Sequence, residues 1–287
     1  MRLHSIKSLA IFCAGLILFN CSSSSESLPP ETPEKPGTPD NPNIQLTVTR
    51  TTWFDSKNHK TGELEIKRDT KKREIVSERT DGDGRLIFRK ETTYNDQSNT
   101  FAIKEITTDM PLGKPYAEGK FNSLGKNTKT TVYDEKGREF SIMNYGYDAK
   151  HRETQRSETL PQSSTDENHY SHIVYNDATW TSTDTNYRKT DDKVLRKVEY
   201  KYLPNTTKQT QEDHFNENGE KVLEKRCEYD QNQRIIRAEF RYPKSPKNSV
   251  HYTMSYNDKE FTSEQRWYNT QRNDLEQIIR HKYLPWE

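Results

Sequence analysis

The chain has 287 residues, of which 29% are hydrophobic and 31% charged, with a formal net charge of +1. That balance is poor in apolar residues for a globular protein, and it carries no basic footprint for nucleic acid. Against disorder stand 16 Tyr, 10 Phe and 4 Trp, placed at regular intervals.

The N-terminus reads as a targeting segment over residues 1–20. Arg2 and Lys7 form a cationic start, and Ser8 to Phe19 is an apolar run too short to span a bilayer as a helix. The run ends in Leu18-Phe19-Asn20-Cys21, followed at once by Ser22-Ser23-Ser24-Ser25. This resembles a bacterial lipoprotein leader, with Leu18 at a lipobox position. Phe19 and Asn20 depart from its usual small residues. The resemblance implies cleavage before Cys21 and lipidation of its thiol, hence a membrane partner reached through lipid. Two or more acyl chains give a stable anchor. Removing Arg2 and Lys7 with the leader brings the net charge to about −1.

Residues 21–43 read as a linker. Pro30, Pro33, Pro36, Pro39 and Pro42 recur at every third position, the polyproline II period. Such a stretch is extended at about 3.1 Å per residue and holds the C-terminal domain away from a membrane.

Residues 44–287 form a repeat domain. Tyr94-Asn95-Asp96, Tyr175-Asn176-Asp177 and Tyr256-Asn257-Asp258 lie 81 residues apart, and the same step carries Lys201-Tyr202-Leu203-Pro204 onto Lys282-Tyr283-Leu284-Pro285. A fixed period points to a repeat architecture. The copies fall at about 44–122, 123–203 and 204–287. In the third, Ile236, Ala238, Phe240 and Tyr242 alternate with Ile235, Arg237 and Arg241, a strand pattern. Leu275 to Tyr283 taken alone reads as helix or strand. Its counterpart from Val194 to Tyr202 alternates, which decides for strand. An aromatic stands before nearly every turn, and Asp or Asn often comes directly after it. Six strands per copy give about 18 in an all-β, antiparallel meander.

Six strands per copy fit a four-stranded propeller blade badly. Alternate positions such as Lys197, Glu199 and Lys201 do not make a lipid-facing band, which argues against a membrane-spanning pore. The expectation is a curled sheet, open or closed as a polar barrel. Tyr133-Asp134-Glu135-Lys136-Gly137-Arg138 resembles the YD repeat of RHS-type bacterial surface proteins, although the turn spacing departs from theirs. The whole chain is similar to Bacteroidota-type surface lipoproteins with a porin-like antiparallel sheet. That resemblance implies an outer-membrane envelope location and no particular activity.

Candidate chemistry is thin. Cys13 lies in the leader and Cys21 is the lipid site, so Cys227 has no disulfide partner and reads as core, in the slot held by Tyr145 and Ile66. His169 and His172, near Asp166 and Glu167, face opposite sides of a strand and read as ordinary sheet residues. Asp81-Gly82-Asp83-Gly84 occupies a turn slot and lacks the later ligands of a calcium loop. No nucleophile elbow, phosphate loop or zinc-protease motif occurs. No catalytic residue, metal site or cofactor is expected. Trp53, Trp180 and Trp267 are the ligand-binding candidates, because exposed aromatics stack on sugars or peptides; covering the sheet face is their alternative role. The expected function is a non-enzymatic, lipid-anchored binding or structural module with a glycan or protein ligand. The alternative is a carbohydrate-active or metal-dependent enzyme on a β scaffold.

Overall fold

The structure, a computed structural model, describes residues 46–163, 167–259 and 261–285; the leader, Cys21, the linker and Trp286 lie outside them. The first third carries β1 (Leu46–Asp55), β2 (Lys60–Arg68), β3 (Glu74–Asp81), β4 (Leu86–Asn95), β5 (Thr100–Thr107) and β6 (Met110–Phe121). The second carries β7 (Asn127–Tyr133), β8 (Glu139–Tyr147), β9 (Glu153–Thr159), β10 (His169–Asn176), β11 (Thr181–Arg188) and β12 (Val194–Tyr202). The third carries β13 (Gln209–Asn216), β14 (Lys221–Tyr229), β15 (Ile235–Arg241), β16 (Val250–Asn257), β17 (Thr262–Asn269) and β18 (Leu275–Pro285). Leu275 onward is therefore strand, as its counterpart on β12 implies.

Every strand pairs antiparallel with the next, and β1 pairs with both β2 and β18. The meander thus closes into an 18-stranded barrel, the closed form of the two expected. The closing register places Thr51 opposite His281 and Trp53 opposite Ile279.

The 81-residue period resolves into three hairpins. Tyr94, Phe121, Tyr147, Tyr175, Tyr202, Tyr229, Tyr256 and Tyr283 recur about every 27 residues, all at one rim. β1 begins at that same rim. The phenols donate back across the neighbouring strand: Tyr94 to the Glu74 carbonyl (3.1 Å), Tyr175 to Glu153 (3.1 Å) and Tyr256 to Ile235 (2.7 Å). Burial of these rings pushes the Tyr256 phenol up to about 12.

Local turn chemistry explains the hairpins. In the turn from Asp134 to Arg138, the Asp134 carboxylate accepts from the Lys136 and Arg138 amides, and Gly137 takes a positive φ of 73°. The register shifts just before it, which is the bulged hairpin that a left-handed residue permits. The same pattern recurs from Asp55, Asp69, Asp81, Asn122, Asp148, Asn216 and Asp230. The Asp81–Gly84 segment is one of these turns: the Asp81 carboxylate accepts from the Asp83 and Arg85 amides.

Buried and exposed residues alternate along the strands, and cross-strand pairing carries the buried set around the inner wall. Leu64, Ile66, Phe101, Val198, Ala238 and Ile279 belong to it. The largest apolar cluster gathers Leu223, Cys227, Ala238, Phe240, Tyr252, Trp267 and Ile279. Cys227 is therefore core, and Ile66 and Tyr145 share its inward orientation. Elsewhere the inner wall is polar and only partly self-paired, the buried Asp184 Oδ1 and Gln265 Oε1 making no hydrogen bond. Glu212 receives His214 Nε2 at 2.6 Å and Lys225 Nζ at 3.2 Å. Burial pushes its carboxyl up, but these partners outweigh burial and hold it below the usual carboxylate range.

One cluster appears three times. Arg73, Arg152 and Arg234 each bond the Asp that opens their own turn through Nε at 2.8 Å: Asp69, Asp148 and Asp230. Each then reaches the Asp of the adjacent Tyr-Asn-Asp turn through Nη1: Asp96 at 2.6 Å, Asp177 at 2.5 Å and Asp258 at 2.8 Å. Each guanidinium also covers the tyrosine of that turn, 4.1 Å from the Tyr94 and Tyr175 centroids and 4.5 Å from Tyr256. Burial raises Asp148, yet Arg152 and the turn amides hold it below the usual range.

Arg152→Met is expected to destabilise the barrel by about 1–2 kcal/mol, since it removes two ion pairs and a cation–π contact at once. Arg138→Met removes a pairing with Asp134 alone and is expected to cost under about 0.5 kcal/mol. Urea denaturation of both variants checks the contrast; equal losses would contradict the clustered arrangement.

Candidate functional site

The outer wall is mostly a network of ion pairs between neighbouring strands. Arg50 on β1 lies between Glu63 and Glu65 of β2, at 3.4 and 2.6 Å. Arg226 on β14 bridges Asp213 and Glu224, at 2.8 and 3.0 Å. Arg266 and Arg280 share Glu264, each at 2.7 Å. Charges stand at mid-strand around most of the circumference. A Lys or Arg facing lipid at the bilayer midplane costs about 2–4 kcal/mol, so this wall suits water.

Four adjacent strands break the pattern. The outward positions of β8 are Phe140, Ile142, Asn144 and Gly146, with Glu139 also outward at the start of the strand, opposite Tyr133. Those of β9 are Gln155, Ser157 and Thr159, and those of β10 are Tyr170, His172 and Val174. On β11 they are Thr181, Thr183, Thr185 and Tyr187. Apart from Glu139 at the end of β8, none of these is an Asp, Glu, Lys or Arg. The charged network resumes on β12 with Lys197 and Glu199, 2.8 Å apart.

The repeat supplies an internal comparison. Equivalent pairings place Asn144, Ser157 and Tyr170 in the slots of Arg226, Glu239 and His251. Likewise Ile142 and Thr159 correspond to Glu224 and Arg241, and Gly146 and Gln155 to Glu228 and Arg237. Thr183 and Thr185 correspond to Glu264 and Arg266. Copy three therefore builds the same wall from ion pairs, among them Arg241–Glu239 at 3.0 Å. The uncharged window is a property of copy two, not of the fold.

Inside the window stands an aromatic group. Tyr170 and Tyr187 pair across β10 and β11 with centroids 5.1 Å apart and planes 18° from parallel. His172 meets both edge-on, at 5.3 and 6.0 Å. The Tyr170 hydroxyl donates to Asp192 at 2.7 Å, which fixes the ring and pushes its phenol up to about 12. On the β9 side of Tyr170 the wall is low, with Ser157, Gly146 and Gln155. There the surface holds a depression of about 230 Å³, lined by Asn144, Gly146, Gln155, Ser157, Tyr170 and His172 together with the inward-facing Tyr145, Arg156 and Ser171. Val174 beside it is 67% exposed and Phe140 53%. Copy three keeps a stacked pair in the same slots, His251 and Tyr268 at 5.1 Å, but His251 there is buried beneath charged neighbours.

The tryptophans lie elsewhere. Trp267 points inward, buried between Phe240 and Tyr252. Trp53 is half-buried against the same cluster, with Arg79 over its ring at 5.2 Å. Both have the sheet-covering role rather than that of exposed platforms. Trp180 is half-buried in the left-handed position of its turn, φ 53°, a slot held by Asn99 and Phe261 in the other copies. Its carbonyl accepts from the Tyr202 amide at 2.8 Å. His169 and His172 face opposite sides as expected: His169 Nε2 meets Glu158 on the inner wall at 3.2 Å, while His172 joins the window. Asp166 lies outside the described residues. Among the described residues no group of three or more His, Cys, Asp or Glu is placed to hold a metal ion. The window was readable in the sequence only by comparing charge, slot by slot, between copies.

No family model matches the chain, and no curated protein matches it. Among solved structures it is similar to a porin-like protein from Bacteroides uniformis ATCC 8492, at 10% identity and a TM-score of 0.46, covering 84% of this chain and 96% of that one. It is also similar to a porin-like protein from Bacteroides vulgatus ATCC 8482, at 10% identity and a TM-score of 0.36, covering 82% and 98%. A third similarity is to the TcdB2-TccC3-Cdc42 complex, at 11% identity and a TM-score of 0.30, covering 77% of this chain but only 15% of that one.

Proposed function

We propose that this protein is a lipid-anchored, non-enzymatic binding module of the cell envelope, held at the outer membrane through Cys21. Its barrel stands in the aqueous phase, and the β8–β11 window is its binding face. The observation that carries the reading is the replacement of a charged wall by a neutral, aromatic one on four adjacent strands of a single copy. Stability does not require that replacement, because copy three builds the same wall from charges. A neutral wall desolvates at lower cost than one of ion pairs, which suits a surface that another molecule must cover. The leader and the proline-spaced linker support the anchor. β1 begins at the tyrosine rim, so an anchor reached through the residues before it leaves the window facing sideways and open above a membrane.

Residues 44–287 without the leader are expected to stay monodisperse in plain buffer. A requirement for detergent, read by size-exclusion chromatography, would contradict the aqueous barrel. Cys21→Ala in the full chain is expected to abolish incorporation of radiolabelled palmitate; unchanged labelling would rule that thiol out.

The double variant Ser157→Glu/Thr159→Arg rebuilds the Glu239–Arg241 pair of copy three inside the window without changing net charge. It is expected to melt within about 3 °C of the parent, since surface pairs contribute about 0–1 kcal/mol. Its co-sedimentation with envelope fragments of the native host is expected to fall at least tenfold. Undiminished retention of a folded variant would sink the binding face.

A further inference from the structure

The window's chemistry defines its occupant more narrowly. We infer that the depression beside Tyr170 binds a neutral glycan, one sugar ring stacking on the open face of Tyr170 and its hydroxyls bonding Asn144, Gln155 and Ser157. The inference rests on the window being the binding face.

Four features lead there. Tyr170 is fixed on one side by Tyr187 and at its hydroxyl by Asp192, so its other face is offered without a further ordering cost. That face overlooks the low wall of Ser157 and Gly146, where the depression lies. An aromatic face is electron-rich, and the C–H face of a sugar ring is weakly positive, so the two stack. Amides and hydroxyls both donate and accept, which matches sugar hydroxyls of undetermined orientation. The outward residues that line the depression include no Lys, Arg, Asp or Glu, and Arg156, which also lines it, points inward and is held by Glu153 at 2.6 Å. That favours an uncharged ligand: a uronate, sulfate or phosphate would lose water with no free ionic partner there.

Geometry disfavours the other occupants. A peptide adding as a strand needs a free sheet edge, and a closed barrel has none. Four strands about 4.8 Å apart, with three or four outward positions about 6.8 Å apart, present roughly 300 Å². A stable interface with a second copy needs about 800 Å² per partner.

The full-length lipidated protein, in a zwitterionic detergent, is passed over agarose coupled to neutral polysaccharides (dextran, mannan, a β-glucan) and to polygalacturonate. Retention on at least one neutral matrix, released by the matching free oligosaccharide, is expected. Tyr170→Ala is expected to reduce it at least tenfold, whereas Tyr170→Phe, which keeps the ring, retains it. Tyr268→Ala, the same slot in copy three, is expected to leave it unchanged. No retention on any neutral matrix, retention on polygalacturonate alone, or indifference to Tyr170→Ala would each overturn the inference. If neutral matrices fail while Ser157→Glu/Thr159→Arg still abolishes envelope retention, the glycan is wrong and the binding face stands. If that double variant keeps its envelope retention, the binding face itself has failed.

Discussion

The pairing of β1 with β18 is the contact on which the barrel depends. A meander of this length ends in two open edges, each a row of unpaired amides and carbonyls that invites association. The ladder from Val48–Leu284 to Asp55–Gln277 joins those edges and satisfies both. Closure also divides inside from outside, and only then does the strand alternation acquire its meaning. With 29% hydrophobic residues, the chain cannot fill an interior of this size with apolar side chains. Its inner wall instead mixes one apolar cluster with self-paired polar groups such as Glu212, His214 and Lys225. Buried charges of that kind are tolerable only when each finds its partner, and a closed wall holds the partners in register.

Local order is supplied by the turns. An Asp or Asn that binds two amides of its own turn, followed by a left-handed residue, determines hairpin register locally. The Arg–Asp–Asp–Tyr cluster then ties one turn to the next along the tyrosine rim. Its threefold recurrence at Arg73, Arg152 and Arg234 shows that the rim is conserved between copies while the outer wall is free to diverge. Structural duty is thus concentrated at the ends of the strands, and the mid-strand outer positions are left available.

Much of this was legible in the chain. The Tyr-Asn-Asp spacing gives the three copies, alternation gives six strands in each, and Val194–Tyr202 correctly decides Leu275 onward as strand. Cys227 reads as core from its slot alone. Closure was not legible, because it depends on pairs such as Thr51 with His281, and no local pattern encodes a partner so distant in sequence. The tryptophans were ambiguous for a related reason. A large aromatic near a turn is compatible with either face, and only the register of β16, β17 and β18 sends Trp267 inward onto Tyr252. His169 and His172 face opposite sides of β10, as their spacing implies, and His172 alone belongs to the outer patch.

The value of an internal repeat lies in that last point. Three copies of one unit in one barrel experience the same solvent and the same folding constraints, so a difference between equivalent slots cannot be assigned to the fold. At the slots of Arg226, Arg237, Glu239 and Arg241, copy two carries Asn144, Gln155, Ser157 and Thr159. Losing surface ion pairs costs little stability, because each contributes only about 0–1 kcal/mol. Such positions drift easily, but drift alone would scatter neutral residues among charged ones. Here the mid-strand outward positions of four neighbouring strands are all neutral, Glu139 standing apart at the end of β8, and the depression among them lies against a tyrosine held on two sides. Contiguity, rigidity and neutrality at one place are what recognition of an uncharged partner requires, and a wall serving only to keep the barrel in water requires none of them.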